Sequence, residues 1–376
     1  MEPDYEVVVI GAGPSGSAAA RAAASKGARV LLIEKDTEVG IPEICGGLVS
    51  SSGLEMIGSG FESAVRTRVK FGKVFVGDEG FEFGFDQELI VLNRELFDKL
   101  MARRAVEAGS DVELGSYAIY SRKNGVNAVY IKGRKLTAKH VINATGVSGY
   151  PLKDEVVRAT QTVYAVKENY YEGIAVYINK DIMRRLFAWY IPYGDGMAKI
   201  GAVGPLDQSL RIIEKAAALV GVRGRPIKVF SSGIVVGGPY TEANDESYAQ
   251  IGDAGGQAKP TTGGGIVFGA LGGIYAGSLA ANGQLKRYNS EFYERGPGKD
   301  LYRQLRIREV YEALDNRALS KALRLIRDSG ISISGDEFDY HSKLMKRVLG
   351  DPRLILRLAE ILPSALLSYL RSSLFS

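Results

Sequence analysis

A glycine-rich turn near the amino terminus constrains the possible fold more than any other feature of the chain. Residues 5–10, YEVVVI, form a short β-branched run that is typical of a buried parallel strand. GAGPSG follows at 11–16, an alanine-rich helix former comes next, and RVLLIE at 29–34 is a second buried run. A strand, a glycine turn, a helix and a strand in this order predict a βαβ unit that binds a dinucleotide.

Each residue type in this unit has its own physical task. The first glycine of the turn permits a tight bend, the second lets the backbone approach a pyrophosphate, and the third lets the helix pack closely on the strand. The helix N-terminus offers unpaired N–H groups to the phosphates, and an acid at the end of the second strand can accept hydrogen bonds from both ribose hydroxyls. The predicted contacts in this unit are Gly11, Gly13, Pro14, Ser15, Gly16, Glu34 and Lys35.

Composition narrows the class of protein. The chain has 376 residues, of which 45% are apolar and 24% charged, an ordinary balance for a globular protein of one or two domains. Cys45 is the only cysteine, so an intramolecular disulfide is ruled out and a reducing compartment is expected. His140 and His341 are far apart in sequence, and no metal site is predicted.

Charge and hydropathy restrict the partners. The net charge of +5 would suit an anionic ligand or surface, but no signature of nucleic-acid binding is present. The first apolar run already carries the nucleotide motif, so it is not a secretory signal, and no apolar stretch reaches the length of a membrane span. We therefore expect a cytoplasmic protein without a nucleic-acid partner, with peripheral contact to a membrane left open.

Further along the chain, strands and helices follow one another without an internal repeat. In residues 67–92, apolar and polar residues alternate between glycines typical of turns, which suggests antiparallel strands. Residues 93–108 are predicted to form a helix with an asparagine N-cap. Residues 112–146 are typical of a β-meander with an Asn-Gly turn, and residues 156–205 are aromatic-rich and strand-like. From about residue 286 onward the pattern is helical and basic on its exposed faces.

Two later segments indicate which dinucleotide is bound. Arg94 opens a helix and suits a second contact to the pyrophosphate, with a solvated position at the helix start as the alternative. Asp253 follows a strand, where its carboxylate can accept a hydrogen bond from a ribityl hydroxyl or, alternatively, cap a turn. The amides of Gly264, Gly265 and Ile266 can face the pyrimidine edge of a flavin, where negative charge develops on reduction. The pattern therefore predicts FAD.

Three motifs together resemble one superfamily. GAGPSG with Glu34, NRELFD at 93–98 and GDAGG with PTTGGGI within 252–266 are similar to the glutathione-reductase-like FAD enzymes, in the branch shared by aromatic hydroxylases and geranylgeranyl reductases. The resemblance implies an α/β fold, with a Rossmann-like FAD-binding domain, an antiparallel substrate domain and a helical C-terminal region. The predicted domains are residues 1–150 with 236–290, residues 151–235, and residues 291–376.

Two further segments resemble the geranylgeranyl reductases within that branch. EICGGLVSS at 43–51 is similar to the cysteine-glycine segment that lies against the flavin in archaeal members. FAWYIPYGDGMAKIGAVG at 187–204 is similar to that family's substrate signature, although Phe187 stands in place of the usual tyrosine and Ile191 in place of phenylalanine. The resemblance implies saturation of isoprenoid double bonds on a diphosphate, a membrane lipid or a quinone. The other predicted cofactor contacts are Cys45, Gly46, Leu48, Arg94, Ala118, Asp253, Gly264, Gly265 and Ile266.

The chemistry of such a reduction suggests catalytic residues. An unactivated alkene needs a hydride and a proton, and one of its carbons gains cationic character that an aromatic face can stabilise. Phe187, Trp189 and Tyr190 are the candidates, and strand alternation places the first two on one face and Tyr190 on the other; all three could instead be core aromatics. Cys45 completes the set, as a proton source, a contact that polarises the flavin, or a small packing residue.

The electron donor and the C-terminal segment stay open. No second dinucleotide fingerprint is present, so either NAD(P)H that binds transiently or a ferredoxin-like protein would supply electrons. Residues 351–376 mix leucine and isoleucine with arginine, as expected for an amphipathic helix pair on a membrane surface or for helices packed on the protein's own core.

Two other functions remain alternatives. The first is a flavin monooxygenase or halogenase. Thr145 stands where many hydroxylases carry the aspartate of an Asp-Gly motif, which disfavours a monooxygenase. AWYIP at 188–192 matches only part of the WxWxIP segment of related halogenases. The second is a non-catalytic flavin-dependent protein that binds lipids or quinones without consuming reducing equivalents.

Overall fold

The computed structural model describes residues 2–375 and shows two β-sheets, flanking helices and a helical C-terminal region. The strands are β1 (Tyr5–Ile10), β2 (Val30–Ile33), β3 (Leu48–Ser50), β4 (Val65–Val76), β5 (Glu79–Leu92), β6 (Asp111–Glu113), β7 (Ala118–Lys123), β8 (Val126–Ile131), β9 (Arg134–Asn143), β10 (Val156–Glu168), β11 (Ile174–Ile178), β12 (Ala188–Gly194), β13 (Met197–Val203), β14 (Arg223–Val235) and β15 (Tyr248–Gln250). The helices are α1 (Pro14–Ala24), α2 (Ser51–Ile57), α3 (Arg94–Glu107), α4 (Leu206–Leu219), α5 (Ile266–Ala281), α6 (Lys299–Ala313), α7 (Asn316–Asp328), α8 (Gly335–Asp339), α9 (His341–Gly350), α10 (Pro352–Ile361) and α11 (Ser364–Phe375).

The first sheet has the strand order β6-β2-β1-β9-β8-β7, and β15 pairs with the end of β9. Strands β6, β2, β1, β9 and β15 are parallel, and β1 and β2 are apolar runs that lie at the centre because helices can cover both of their faces. Strands β7 and β8 add the antiparallel meander, through a turn in which Asn124 and Gly125 both have positive φ. This sheet confirms the predicted α/β class.

The glycine-rich helix α5 packs closely on α1. A Cβ at Gly273 would overlap the carbonyl oxygen of Ser15, and a Cβ at Gly277 would overlap that of Ala19. Glycine at both positions therefore lets the two helix backbones touch. The same pairing places the start of α5 beside the glycine turn, since a Cβ at Gly269 would lie 3.6 Å from the Cβ of Ser15.

The second sheet has the strand order β14-β10-β13-β12-β11-β4-β5-β3 and is antiparallel except where β11 pairs with β4. One face packs on α4, where Tyr190, Ile200 and Ala202 are buried with residues of the helix. Strands β3, β4 and β5 come from residues 48–92, so the sheet joins the predicted FAD-binding and substrate segments. The domain boundaries stay a prediction.

The C-terminal helices build an apolar cluster of their own. Residues 351–375 bury most of their leucines against earlier helices of the region, so these leucines pack on the protein's own core, whereas Leu356 and Phe375 are exposed. The buried leucines are Leu354, Leu358, Leu362, Leu367, Leu370 and Leu374. Within residues 2–375, no helix has the length and apolar character needed to cross a membrane.

Candidate functional site

The turn between β1 and α1 combines close backbone packing with open space. Gly11 has a φ of 105°, and a Cβ there would overlap the carbonyl oxygen of Ala144. A Cβ at Gly16 would overlap the carbonyl oxygen of Gly11. At Gly13, by contrast, no described atom apart from those of the adjoining residues lies within 4 Å of where a Cβ would stand. The first and third glycines are required by packing, and the second leaves a cradle that fits a pyrophosphate.

Glu34 is held beside this turn at the end of β2. Its Oε2 accepts a hydrogen bond from the N–H of Ala12 at 2.7 Å, and its Oε1 accepts one from the N–H of Asp36 at 3.1 Å. The neighbouring Lys35 is exposed and pairs with Asp36 at 2.6 Å. Ala118 begins β7 and packs against the apolar face of β1 and β2. Glu34 is thus fixed beside the glycine turn, and its contact with a ribose stays a prediction, whereas Lys35 extends toward solvent.

Asp253 lies next to the start of α5, with its Oδ1 2.8 Å from where a Cβ at Gly265 would stand. Burial raises the pKa of Asp253 and the charge of Arg94 opposes that rise, while no hydrogen bond from the described residues supports the carboxylate. The helix begins at Ile266, so the amides of Gly264 and Gly265 precede its first turn. The carboxylate of Asp253 is a free hydrogen-bond acceptor, and the N–H groups at the N-terminus of α5 are donors. One ligand can therefore use both.

The loop before α5 is tied to the C-terminal region by a buried ion pair that the sequence did not indicate. Lys259 Nζ lies 3.1 Å from Asp339 Oδ1 and donates to the carbonyl oxygen of Phe338 at 2.9 Å. Both charged side chains are buried, and the hydroxyl of Ser50 donates to Asp339 Oδ2. The glycines at the start of α5 are therefore positioned partly by helix α8.

Cys45 lies in a loop whose shape depends on glycine. The N–H of Gly47 donates to the Cys45 Sγ at 3.4 Å, and the N–H of Leu92 donates to the carbonyl oxygen of Gly47 at 2.9 Å. Gly47 has a φ of 79°, and a Cβ there would stand 2.5 Å from the carbonyl oxygen of Leu92. Leu48 follows as the first residue of β3 and packs in the apolar cluster of the second sheet.

A largely buried carboxylate, with 14% of its side chain exposed, holds this loop to the second sheet. Glu43 Oε1 accepts hydrogen bonds from Lys199 Nζ at 2.8 Å, from the N–H of Arg94 at 2.9 Å and from the hydroxyl of Tyr193 at 3.1 Å. Lys199, fully buried, also donates to the carbonyl oxygen of Cys45 at 3.0 Å. Burial raises the pKa of Glu43, but Lys199 and the other donors outweigh burial and bring that pKa below its ordinary value.

Sequence reasoning missed Glu43, Lys199 and Tyr193. The one available signal was a lysine inside AKIGAV, an otherwise apolar strand run, because a charge in such a run must find a partner when it is buried. Burial lowers the pKa of Lys199, and Glu43 opposes that change. The pairing itself was out of reach because the two residues come from distant segments of the chain.

Arg94, at the start of α3, interacts with both the loop that contains Cys45 and the segment that contains Asp253. Its Nε and Nη2 donate to both oxygens of Asp98, at 2.9 and 2.8 Å. Burial opposes its charge, but Asp98 and then Cys45 raise the pKa of Arg94 above its ordinary value. The charge of Arg94 also opposes the rise in the pKa of Asp253. Arg94 is therefore coupled electrostatically both to Cys45, in the loop before β3, and to Asp253, beside the start of α5. Its predicted contact with a pyrophosphate stays a prediction, since its strongest partner here is Asp98.

Strand β12 presents its alternate residues to two environments. Tyr190 lies fully buried on the face packed against α4, and its hydroxyl donates to the carbonyl oxygen of Tyr171 at 3.0 Å. Trp189 lies on the other face, where its indole N–H donates to Gln161 Oε1 at 2.8 Å and its ring occupies the space over Gly201. The structure thus separates Tyr190 from Trp189, as alternation predicts, and does not bring Tyr190 to the face that meets the cysteine loop.

The face that carries Trp189 meets that loop directly. A Cβ at Gly46 would stand 2.7 Å from Ile191 Cδ1 and 3.6 Å from Gln161 Oε1, so the missing side chain lets the loop lie on the sheet. Phe187 precedes β12 and packs between two apolar clusters of the second sheet. The predicted residues Gly46 and Trp189 therefore come together, with Gln161 and Ile191 between them.

These parts fit a flavin nucleotide and a reaction beside it. The turn between β1 and α1 is open at Gly13, and Glu34 is fixed beside it. The carboxylate of Asp253 next to the start of α5 has no donor among the described residues, and Trp189 lies on the sheet face that meets the cysteine loop. The fold and site define an FAD-dependent oxidoreductase.

Comparison with known proteins supports this class and identifies the family. Residues 6–148 match the family described as FAD dependent oxidoreductase. The chain is 30% identical over 363 residues to digeranylgeranylglycerophospholipid reductase 1 of Methanosphaera stadtmanae, which covers 89% of this chain and 86% of the relative. It is also 30% identical over 398 residues to digeranylgeranylglycerophospholipid reductase 2 of Methanothermobacter thermautotrophicus, with 95% and 100% covered. The chain belongs to the digeranylgeranylglycerophospholipid reductase family.

A solved structure shows the same fold. A geranylgeranyl bacteriochlorophyll reductase-like protein of Thermoplasma acidophilum superposes with a TM-score of 0.82. The match covers 98% of this chain and 99% of that protein at 22% sequence identity. The two-sheet architecture with its helical C-terminal region is therefore shared along the whole chain.

Proposed function

We propose that this protein saturates C=C bonds in the prenyl chain of an isoprenoid lipid, diphosphate or quinone. The observation that carries the proposal is the contact between the sheet face that carries Trp189 and Ile191 and the cysteine-glycine loop. Ile191 lies against Gly46, and Trp189 lies beside Ile191 on the same face. A hydrocarbon tail gains free energy by packing where such a face replaces water. The names of the two reductases described above indicate the same class of substrate.

The chain must provide a proton and an electron-rich surface. Reduced FAD, when bound, supplies the hydride for this kind of reaction. Trp189 presents its ring to the alkene carbon that becomes positive, and Gln161 holds that ring through the indole N–H. Cys45 donates the proton, and the N–H of Gly47, which donates to the Cys45 Sγ at 3.4 Å, holds the sulfur in place.

The proposed catalytic set is Cys45 and Trp189, with Phe187, which packs between two apolar clusters of the second sheet, as a contact for the prenyl chain. Tyr190 is left out, because its ring and hydroxyl are both used on the opposite face of the sheet. The proposed FAD contacts are Gly11, Gly13, Pro14, Ser15, Gly16, Glu34, Lys35, Cys45, Gly46, Leu48, Arg94, Ala118, Asp253, Gly264, Gly265 and Ile266.

Electron supply and membrane contact complete the proposal. Electrons reach the flavin from NAD(P)H that binds transiently or from a ferredoxin-like protein. Peripheral membrane contact would use the exposed Leu356 and Phe375 with the neighbouring arginines Arg353 and Arg357. Sedimentation with anionic vesicles, compared for the wild type and Leu356→Ser, tests this contact.

An anaerobic experiment tests the function. The purified flavoprotein is reduced with dithionite, mixed with geranylgeranyl diphosphate or a geranylgeranylated lipid, and followed by flavin absorbance and product mass. Reoxidation with two hydrogens added per bond is the expected result. A flavin that stays reduced until oxygen enters, followed by an oxygenated product, would instead identify a monooxygenase. Binding of the prenyl chain without any turnover would identify a non-catalytic binder.

The role of the thiol has its own test. We expect Cys45→Ala to slow alkene reduction by about 10²-fold, the lower end of what a positioned acid contributes. Rates are compared per bound flavin, because Cys45 is also one of the proposed FAD contacts. A wild-type rate in Cys45→Ala would assign proton donation to another group.

A further inference from the structure

Gln161 carries a buried hydrogen-bond donor that no part of residues 2–375 satisfies. The residue lies on β10 with only 3% of its surface exposed, and its Nε2 has no hydrogen-bond partner. Its Oε1 accepts the indole N–H of Trp189 at 2.8 Å. Because an indole nitrogen can only donate, this bond fixes which end of the amide is oxygen. The unsatisfied atom is therefore the NH₂ group.

The amide stands where the second sheet meets the cysteine loop. The register places Gln161 and Trp189 on either side of Gly201, and the absence of a side chain at Gly201 lets the indole cross to the amide. Gln161 Oε1 also lies 3.6 Å from where a Cβ at Gly46 would stand. The free donor thus belongs to the region between the sheet and the loop.

The missing acceptor must come from outside residues 2–375, either from a bound molecule or from an enclosed water. A buried N–H group without an acceptor costs about 1–3 kcal/mol. The prenyl chain in the proposed function is a hydrocarbon and has no acceptor atom, whereas the flavin ring carries two carbonyl oxygens. This step rests on the proposed function, because a polar substrate would bring acceptors of its own.

We propose that Gln161 Nε2 donates a hydrogen bond to a carbonyl oxygen of the bound flavin. One amide then joins the cofactor to Trp189 and sets the distance between the flavin and the aromatic ring. Negative charge develops on the flavin ring when it is reduced, so a donor at a carbonyl oxygen also favours the reduced form.

Vibrational spectroscopy of the oxidised holoprotein tests the bond directly. FAD labelled with ¹³C at C2 or at C4 identifies each carbonyl stretch. In Gln161→Met we expect one of these bands to move to higher frequency, the FAD dissociation constant to rise about tenfold, and the midpoint potential to fall. No substrate is present, so the result does not depend on whether the protein reduces alkenes.

Two further variants separate direct donation from other causes. Gln161→Glu keeps an oxygen for the indole, and its carboxyl group donates only when protonated. The carbonyl band should therefore be close to the wild-type position at pH 5 and resemble that of Gln161→Met at pH 9. Trp189→Phe removes the indole bond but keeps the amide, so its band should stay at the wild-type frequency.

Three results would overturn the proposal. An unchanged carbonyl band in Gln161→Met would mean that a buried water satisfies the amide. An equal shift in Trp189→Phe would mean that the amide acts only as the partner of the indole. A band that is independent of pH in Gln161→Glu would contradict direct donation. Thermal unfolding of each variant without FAD shows that it is folded before its spectrum is compared.

Discussion

The ammonium group of Lys199 lies 2.8 Å from the carboxylate of Glu43, deep between the cysteine loop and the second sheet. The same group donates to the carbonyl oxygen of Cys45 at 3.0 Å, so one lysine holds both sides of the loop. A buried ion pair adds little net stability, because desolvation offsets the attraction, but it fixes the position of the groups that it joins. We infer that the pair serves to position the thiol.

Substitution of Lys199 should leave the carboxylate of Glu43 without its cation. We expect Lys199→Met to lower the free energy of unfolding by about 3 kcal/mol, because Glu43 keeps its burial and loses its cation. Urea denaturation measures the change. The double variant Lys199→Met with Glu43→Gln removes the unpaired negative charge as well, so it should regain much of the lost free energy of unfolding. A double variant as unstable as the sum of both single changes would show that the two residues do not act as a pair.

The pair also predicts how stability depends on pH. The folded protein lowers the pKa of Glu43 below its ordinary 4.5, so the stabilisation is fully present above that pH. It is lost as the pH falls through the folded pKa, because the carboxylate must then be protonated. Urea midpoints between pH 7 and pH 3 should fall less steeply in Glu43→Gln than in the wild type. Parallel curves would show that Glu43 titrates alike in the folded and unfolded states.

Gly201 should be required for the position of Trp189. A Cβ at this residue would overlap the indole ring, so Gly201→Ala must displace the ring and break its bond to Gln161. We expect a loss of about 1–3 kcal/mol and a shift of tryptophan emission to longer wavelength. Trp189 is the sole tryptophan, so the emission reports on this ring alone. Gly84→Ala is the matched control on β5, where a Cβ meets no described atom within 4 Å apart from those of the adjoining residues, and its emission should not change.

Alanine substitutions at Gly13 and Gly16 should impair the protein in different ways. Gly13→Ala adds a methyl group to open space, so the protein without FAD should keep its melting temperature while the FAD dissociation constant rises at least about tenfold. Gly16→Ala would overlap the carbonyl oxygen of Gly11, so it should destabilise the protein even without FAD. Calorimetry of the apoprotein and titration with FAD distinguish the two effects. Equal melting temperatures for both variants would contradict the geometry of the turn.

Local patterns in the sequence were enough to predict the βαβ unit with its glycine turn and the division of β12 into two faces. The task of each glycine in GAGPSG follows from backbone geometry over a few residues, and the separation of Trp189 from Tyr190 follows from the pleat of a strand. Such features depend on neighbours in sequence, so a single sequence contains them.

The polar contacts of the site were not predictable in the same way. Glu43 and Lys199 are paired only because β13 lies under the loop that precedes β3, and no local pattern encodes that contact. The same holds for the parallel pairing of β11 with β4 and for Lys259 with Asp339. A buried charge in an apolar run signals that a partner exists, but the fold decides which residue it is.

The ion pair between Lys259 and Asp339 should couple the C-terminal region to the cofactor site. Asp339→Asn leaves Lys259 buried without its anion, and we expect a loss of about 3 kcal/mol together with faster hydrogen exchange in residues 259–265. Because those residues include the glycines before α5, FAD should also bind more weakly. Asp336→Asn is the matched control. Its partner Lys343 is exposed, so that change should cost less than about 1 kcal/mol.

A second substitution decides between loss of charge balance and loss of packing. Replacing Lys259 by Met in the Asp339→Asn background removes the stranded cation, and stability should return toward the wild type because a buried ion pair can be replaced by apolar contacts at little cost. If Asp339→Asn is no more harmful than Asp336→Asn, the C-terminal helices do not hold the loop. If stability returns in the double variant but FAD binding does not, the positive charge of Lys259 itself serves the cofactor.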